Sequence, residues 1–146
     1  MEILIVMAVV AILVGMIIPS YRSIQNDAWV GKAKIETRTL RDAIERFSWR
    51  HNRYPTDFLE LVPDLLDKIP DDPWRTNTLT DKFGTIYNTY GYLSGYVTGS
   101  GYYYIVYSRG IDGRDDVRGS EPVNGRLVLP AGSDDIVEST LIVVKQ

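Results

Sequence analysis

Sixteen consecutive residues without a polar side chain, Ile3 to Ile18, open this chain directly behind Glu2 and run into Pro19. A helix that is apolar all round has no face to give to water, so a bilayer or other protein must surround it. At ~1.5 Å per helical residue the run spans roughly 24 Å, a little under the ~30 Å of a hydrocarbon core. A secretory signal peptide would need a basic start and a small-residue cleavage site; here Glu2 leads and Pro-Ser-Tyr follows. A carboxylate at the edge of such a segment either snorkels to the interface or meets a cation, which makes Glu2 a candidate functional residue.

The rest of the chain is soluble in composition. Of 146 residues about 125 follow the apolar run, enough for one modest core and no second domain. The formal net charge of −3 argues against a nucleic-acid partner, whose phosphates demand a basic face. Cysteine is absent, which excludes a disulfide framework, a thiolate metal site and a cysteine nucleophile.

Past Pro19 the pattern stays helical. Tyr21, Ile24, Ala28, Gly31, Ile35, Thr39, Ala43 and Phe47 recur at spacings of three and four with charged residues between them, which predicts one amphipathic face. A single helix from Glu2 to about Arg50 is expected, with local unwinding near Gly15 and Pro19. It ends at HNRYP, where Pro55 biases Tyr54 away from helical geometry. A short helix over Asp57 to Lys68 follows, then a PDDPW loop in which Pro73 and Trp74 pin the backbone. From Thr85 the pattern becomes β-type: Ile86 to Val97 and Tyr102 to Ser108 form a hairpin around TGSG, with further strands at Arg126 to Leu129 and Thr140 to Lys145. The fold class is therefore α+β, a long N-terminal helix packed on a small antiparallel β-sheet. Residues 1–20 form the membrane or filament-core part, and residues 21–146 the globular part.

Two acidic, glycine-containing stretches, SRGIDGRDDVRG and AGSDDIV, supply Asp112, Asp115, Asp116, Asp134 and Asp135. Hard cations such as Ca²⁺ take six to eight oxygens from carboxylates and carbonyls, and glycine lets a loop present them. The spacing is not that of an EF-hand, and a solvated acidic turn is the alternative. His51, the one histidine, falls at the helix end with no acidic partner nearby in sequence. No Walker A loop, nucleophile elbow or dinucleotide fingerprint is present, so no enzymatic activity is expected.

The N-terminal run MEILIVMAVVAILVGMIIPSY resembles the first helix of the type IV pilin and pseudopilin superfamily, with Glu2 matching its glutamate and Pro19 its helix proline. NRYPT, then leucines, then IPDDPW, together with YIVYSRGIDG and GSDDIV, bring the resemblance closest to the major pseudopilin of type II secretion systems. The resemblance implies a pilin-like fold and assembly roles for Glu2 and Pro19. It also implies calcium held by the side chains of Asp112, Asp134 and Asp135 and the carbonyl of Arg109. The implied function is structural: a homo-oligomeric helical filament, drawn from the bacterial inner membrane into a periplasmic pseudopilus that drives protein export. Its partners would be minor pseudopilins and the inner-membrane assembly platform, and nucleic acid would not be among them. A type IV pilin for adhesion or motility is the sister reading, and a single-pass anchored periplasmic enzyme or binding protein the reading from another class. The chain departs from the family in three ways. The family's leader and first mature residues have no counterpart ahead of Met1, which points to a truncated or mis-assigned start. DVRGSEPVNGRLVLPAG separates the two acidic stretches, and TLIVVKQ runs past the usual end.

Overall fold

The computed structural model describes residues 2–120 and 122–145; for Glu2 and residues 17–20 it describes the backbone alone. Helix α1 (Glu2–His51) runs unbroken for 50 residues, through Gly15 and Pro19 without the expected unwinding. It stops where expected. Asn52 turns to φ 54°, its N–H donating to Ser48 O, and Arg50 and His51 place basic side chains at the carbonyl end of the helix dipole.

The buried stripe of α1 is Ala33, Thr37, Leu40, Ala43, Ile44 and Phe47. This corrects the expected face: Tyr21, Ile24 and Ile35 are 60–67% exposed. The reason is geometric. Four successive steps of four residues from Gly31 to Phe47 advance roughly 400° each, so that line drifts by about 160° and crosses from one side of the helix to the other. Thr37 satisfies its buried hydroxyl by donating to Ala33 O at 2.9 Å.

Beyond the helix, Asp57 caps a 3₁₀ turn at Phe58–Leu61 by accepting the Leu59 N–H at 2.8 Å. The longer helix expected to Lys68 does not form. Pro63 has no N–H to extend one, and Leu65 and Leu66 both donate back to Leu61 O. Seven strands follow: β1 (Asn77–Thr80), β2 (Ile86–Thr89), β3 (Gly91–Val97), β4 (Gly101–Ser108), β5 (Arg126–Leu129), β6 (Ile136–Ser139) and β7 (Ile142–Lys145). The expected hairpin around TGSG is present, β3 pairing with β4 from Gly91↔Tyr107 to Val97↔Gly101. The expected Ile86–Val97 strand divides at Tyr90, because β2 pairs with β1 whereas β3 pairs with β4. There are three small sheets, not one: β1–β2, β3–β4–β6, and β5–β7, the last of them parallel.

Strand β4 holds these layers together. Tyr104 and Val106 point into a core shared with Leu40, Ile44, Phe47 and Phe58, while Ile105 and Tyr107 point the other way into a second core with Val117, Leu127 and Leu129. β5 comes from the segment between the acidic stretches and β7 from the C-terminal run, so the two departures from the family pattern pair with each other and cover the sheet face that α1 leaves open. Two tyrosines bind this sheet to the helix. The Tyr90 hydroxyl donates to Glu36 at 2.6 Å and Tyr104 to Glu45 at 2.9 Å.

Candidate functional site

Two regions carry the residues singled out by sequence. The first is the N-terminal half of α1, where the described large apolar side chains between Ile3 and Met16 are 48–78% exposed. Its most apolar 18-residue window has a mean hydropathy of 2.9 and buries nothing against the rest of the chain. By length and composition the helix is able to cross a membrane. The side chains of Glu2 and Pro19 lie outside those described.

The second region is the pair of acidic loops, which the fold brings together. Leaving β4, the chain turns at Gly110 (φ 72°), where a side-chain carbon would fall 2.6 Å from the Asp134 carbonyl oxygen and 2.7 Å from its carboxylate carbon; only glycine permits this approach. Asp134 Oδ2 accepts the N–H groups of Ile111 at 2.6 Å and Asp112 at 3.0 Å. Its neighbour Asp135 faces elsewhere, accepting the N–H groups of Asp116 and Val117 at 3.1 Å each. Burial first, then the nearby carboxylates of Asp116 and Asp115, push the Asp135 carboxyl up to about 7, against the opposing pull of those two N–H bonds. The Asp112 carboxylate serves its own turn, accepting the Arg114 N–H at 2.8 Å.

Arg109 is placed by the PDDPW loop and the residues that follow it. Its N–H donates to Thr76 Oγ1 at 2.9 Å and its guanidinium to the carbonyls of Trp74 and Arg75 at 3.0 and 2.6 Å. Thus Asp134 meets the backbone of Asp112, whereas the carboxylates of Asp112, Asp134 and Asp135 serve different backbone amides, five in all. Among the described residues no three carboxylate or imidazole groups gather about one point. Asp134 Oδ1 and Asp135 Oδ1 are nevertheless buried with no donor. A carboxylate oxygen in that state is costly, and a hard cation shared with main-chain oxygens would relieve it. Among the described residues the arrangement is therefore not a cage of three aspartates about one cation.

The residue that sequence reasoning missed is Asp72, only 3% exposed. It accepts from the Trp74 N–H at 3.3 Å, the Thr76 N–H at 2.8 Å, the Ser108 hydroxyl at 2.7 Å and the Thr76 hydroxyl. It ties the PDDPW loop to the end of β4 and so fixes where the first acidic loop begins. The available signal was an aspartate directly before Pro-Trp, a residue type whose side chain closes turns on the backbone ahead of it. A groove of about 560 Å³ lies between Arg53, Tyr54, Tyr96 and Tyr102 and has no carboxylate or imidazole in its lining. Comparison of the chain with protein-family models, with curated proteins and with solved structures finds no match.

Proposed function

We propose that this chain is a major-pseudopilin-like filament subunit, held in the bacterial inner membrane by the first half of α1 and drawn into a periplasmic pseudopilus of a type II secretion system. One observation carries the reading. An apolar helix whose described large side chains between Ile3 and Met16 are exposed continues, without break or linker, into a helix face buried under a sheet. An anchored enzyme or binding protein is served by a flexible linker between anchor and domain, whereas a subunit that bundles helices into a filament needs the rigid continuity seen here. Minor pseudopilins and the assembly platform are the further partners of this reading.

In it, Glu2 neutralises a cationic group of a neighbouring subunit, the N-terminal amine being the simplest, as the helices leave the membrane. Leaving one buried charge of such a pair unpartnered costs about 3–5 kcal/mol. Glu2→Leu is expected to give a folded, membrane-inserted subunit that forms no filaments, as read by electron microscopy of periplasmic fractions beside the unaltered chain. Normal filaments from that variant would refute the reading. Within the same reading a Ca²⁺ taken up at Asp134, whose Oδ1 is buried without a donor, clips the loops in a chain without disulfides. When calcium is a hundredfold above Kd the folded state gains about 2.7 kcal/mol. Melting in calcium and in chelator checks this; identical curves with no bound metal return the aspartates to amide-binding turns.

A further inference from the structure

The outer face of α1 carries apolar side chains that the fold leaves uncovered, with the charged Asp42 and Arg46 on the same side between Ile35 and Trp49. At about 100° per residue, Tyr21, Ile24, Ala28, Ile35 and Trp49 fall within an arc of roughly 80°, on the far side of the helix from Leu40 and Ile44. Ile35 is 67% and Trp49 90% exposed. Trp49 borders a trough of about 450 Å³ formed by this one helix, its other walls being Asp42, Glu45, Arg46 and Arg50. An indole this exposed, ringed by charge on a rigid helix, has the composition of an interface anchor.

Charge indicates what covers it. Residues 21–53 hold eight Lys and Arg against four Asp and Glu, whereas residues 54–146 hold eight against fourteen. Among the described residues Lys34, Arg46 and Arg50 are exposed and make no ion pair, and the same holds for Asp64, Asp67 and Asp71. The loop bearing those acids also presents half-buried Leu65 and Leu66. Its far end is fixed low on the helix, where Lys32 donates to Asp71 O at 3.1 Å. Seventeen residues separate Lys32 from Trp49, so Asp71 lies about 25 Å along the axis from the tryptophan of its own chain.

We propose that the Trp49 face, flanked by Arg46 and Arg50, docks the Asp64–Asp71 loop of a second copy of this chain displaced along the helix axis. Cations of one copy meet acids of the next, and the indole meets Leu65 and Leu66. The two patches differ, so the contact is heterologous, and a heterologous contact that does not close repeats indefinitely. The inference rests on the filament reading and adds the periplasmic contact to it.

The test uses the full chain expressed in its membrane. Arg46→Glu with Arg50→Glu is expected to lower filament yield about tenfold, like charges being set opposite one another. Adding Asp64→Lys and Asp67→Lys to the same chain is expected to restore it. Trp49→Ser, a change at a fully exposed position, should lower yield with an unaltered melting temperature. Normal filaments from the reversed and Trp49→Ser chains overturn this contact and leave the filament reading standing. A loss that the counter-reversal does not restore overturns it too, since some other partner then covers the face. An unaltered chain that makes no filaments overturns the filament reading, and this inference with it.

Discussion

Between Ile3 and Met16 the described large apolar side chains of α1 stand 48–78% exposed, whereas Ala33, Leu40 and Ile44 on the same helix are fully buried. Both halves satisfy their backbone hydrogen bonds internally, so the difference lies entirely in what surrounds the side chains. The second half owes its stability to the sheet, to the Tyr90–Glu36 and Tyr104–Glu45 bonds and to the ion pairs of Arg38 and Arg41 with Glu138. Among the described residues the first half shows no such partner in its own chain. A single continuous helix is thus two objects energetically, one folded by its own chain and one requiring a membrane or neighbouring helices.

The contrast is most sharply exposed by matched truncations. Ile44→Ala empties a position with no solvent contact and is expected to destabilise the globular part by about 2–5 kcal/mol. Ile12→Ala, on the exposed half, should leave the same melting curve unchanged. Equal effects at both positions would erase the distinction. A smaller loss is expected where the second half is braced by polar groups. Asp72→Ala strands the N–H groups of Trp74 and Thr76 and the Ser108 hydroxyl, at a cost of about 3 kcal/mol seen in denaturant unfolding, with Asp72→Asn recovering part of it.

The tyrosine ties give a pH signature of lesser size. Burial first, then the hydrogen bonds to Glu36 and Glu45, raise Tyr90 and Tyr104 above their ordinary value of 10.0 in the folded state. Their contribution is complete below that pH; above it the unfolded chain ionises while the folded chain does not, so stability falls as pH rises. Tyrosinate absorbance is therefore expected to show a late component that appears only with unfolding. Tyr104→Phe should cost about 1.5 kcal/mol and diminish that component, and a single titration near the ordinary value would contradict the buried ties.

Much of this contrast was legible in the residues. An uninterrupted apolar run has one reading at any level of detail, and the helix end was marked by Asn52 and Pro55. The buried face of the second half was misread because Tyr21, Ile24 and Ile35 are apolar yet face outward, and spacing alone does not separate a core stripe from an interface stripe. Glu36 and Glu45 looked like solvated helix charges, since their partners lie more than fifty residues away. β1 and β6 were not foreseen because NTLT and IVES are only four residues long, and each forms by pairing with a neighbour, β2 and β4. The acidic loops were legible as residue types. Their meeting was legible only through the resemblance; in the structure it follows from β4 pairing with β6, whose register sets Ser108 beside Ile136 and so the two loops side by side.

The account turns on the two halves of α1 being separable, and deleting residues 1–22 tests that most directly. The shortened protein keeps Ala33 to Phe47 and every sheet. It is expected to be soluble, monomeric by sedimentation, and to unfold in one cooperative transition at the melting temperature of the detergent-solubilised full chain. A shortened protein that is aggregated, unfolded or markedly less stable would show that the apolar half supports the globular part, and would contradict the account.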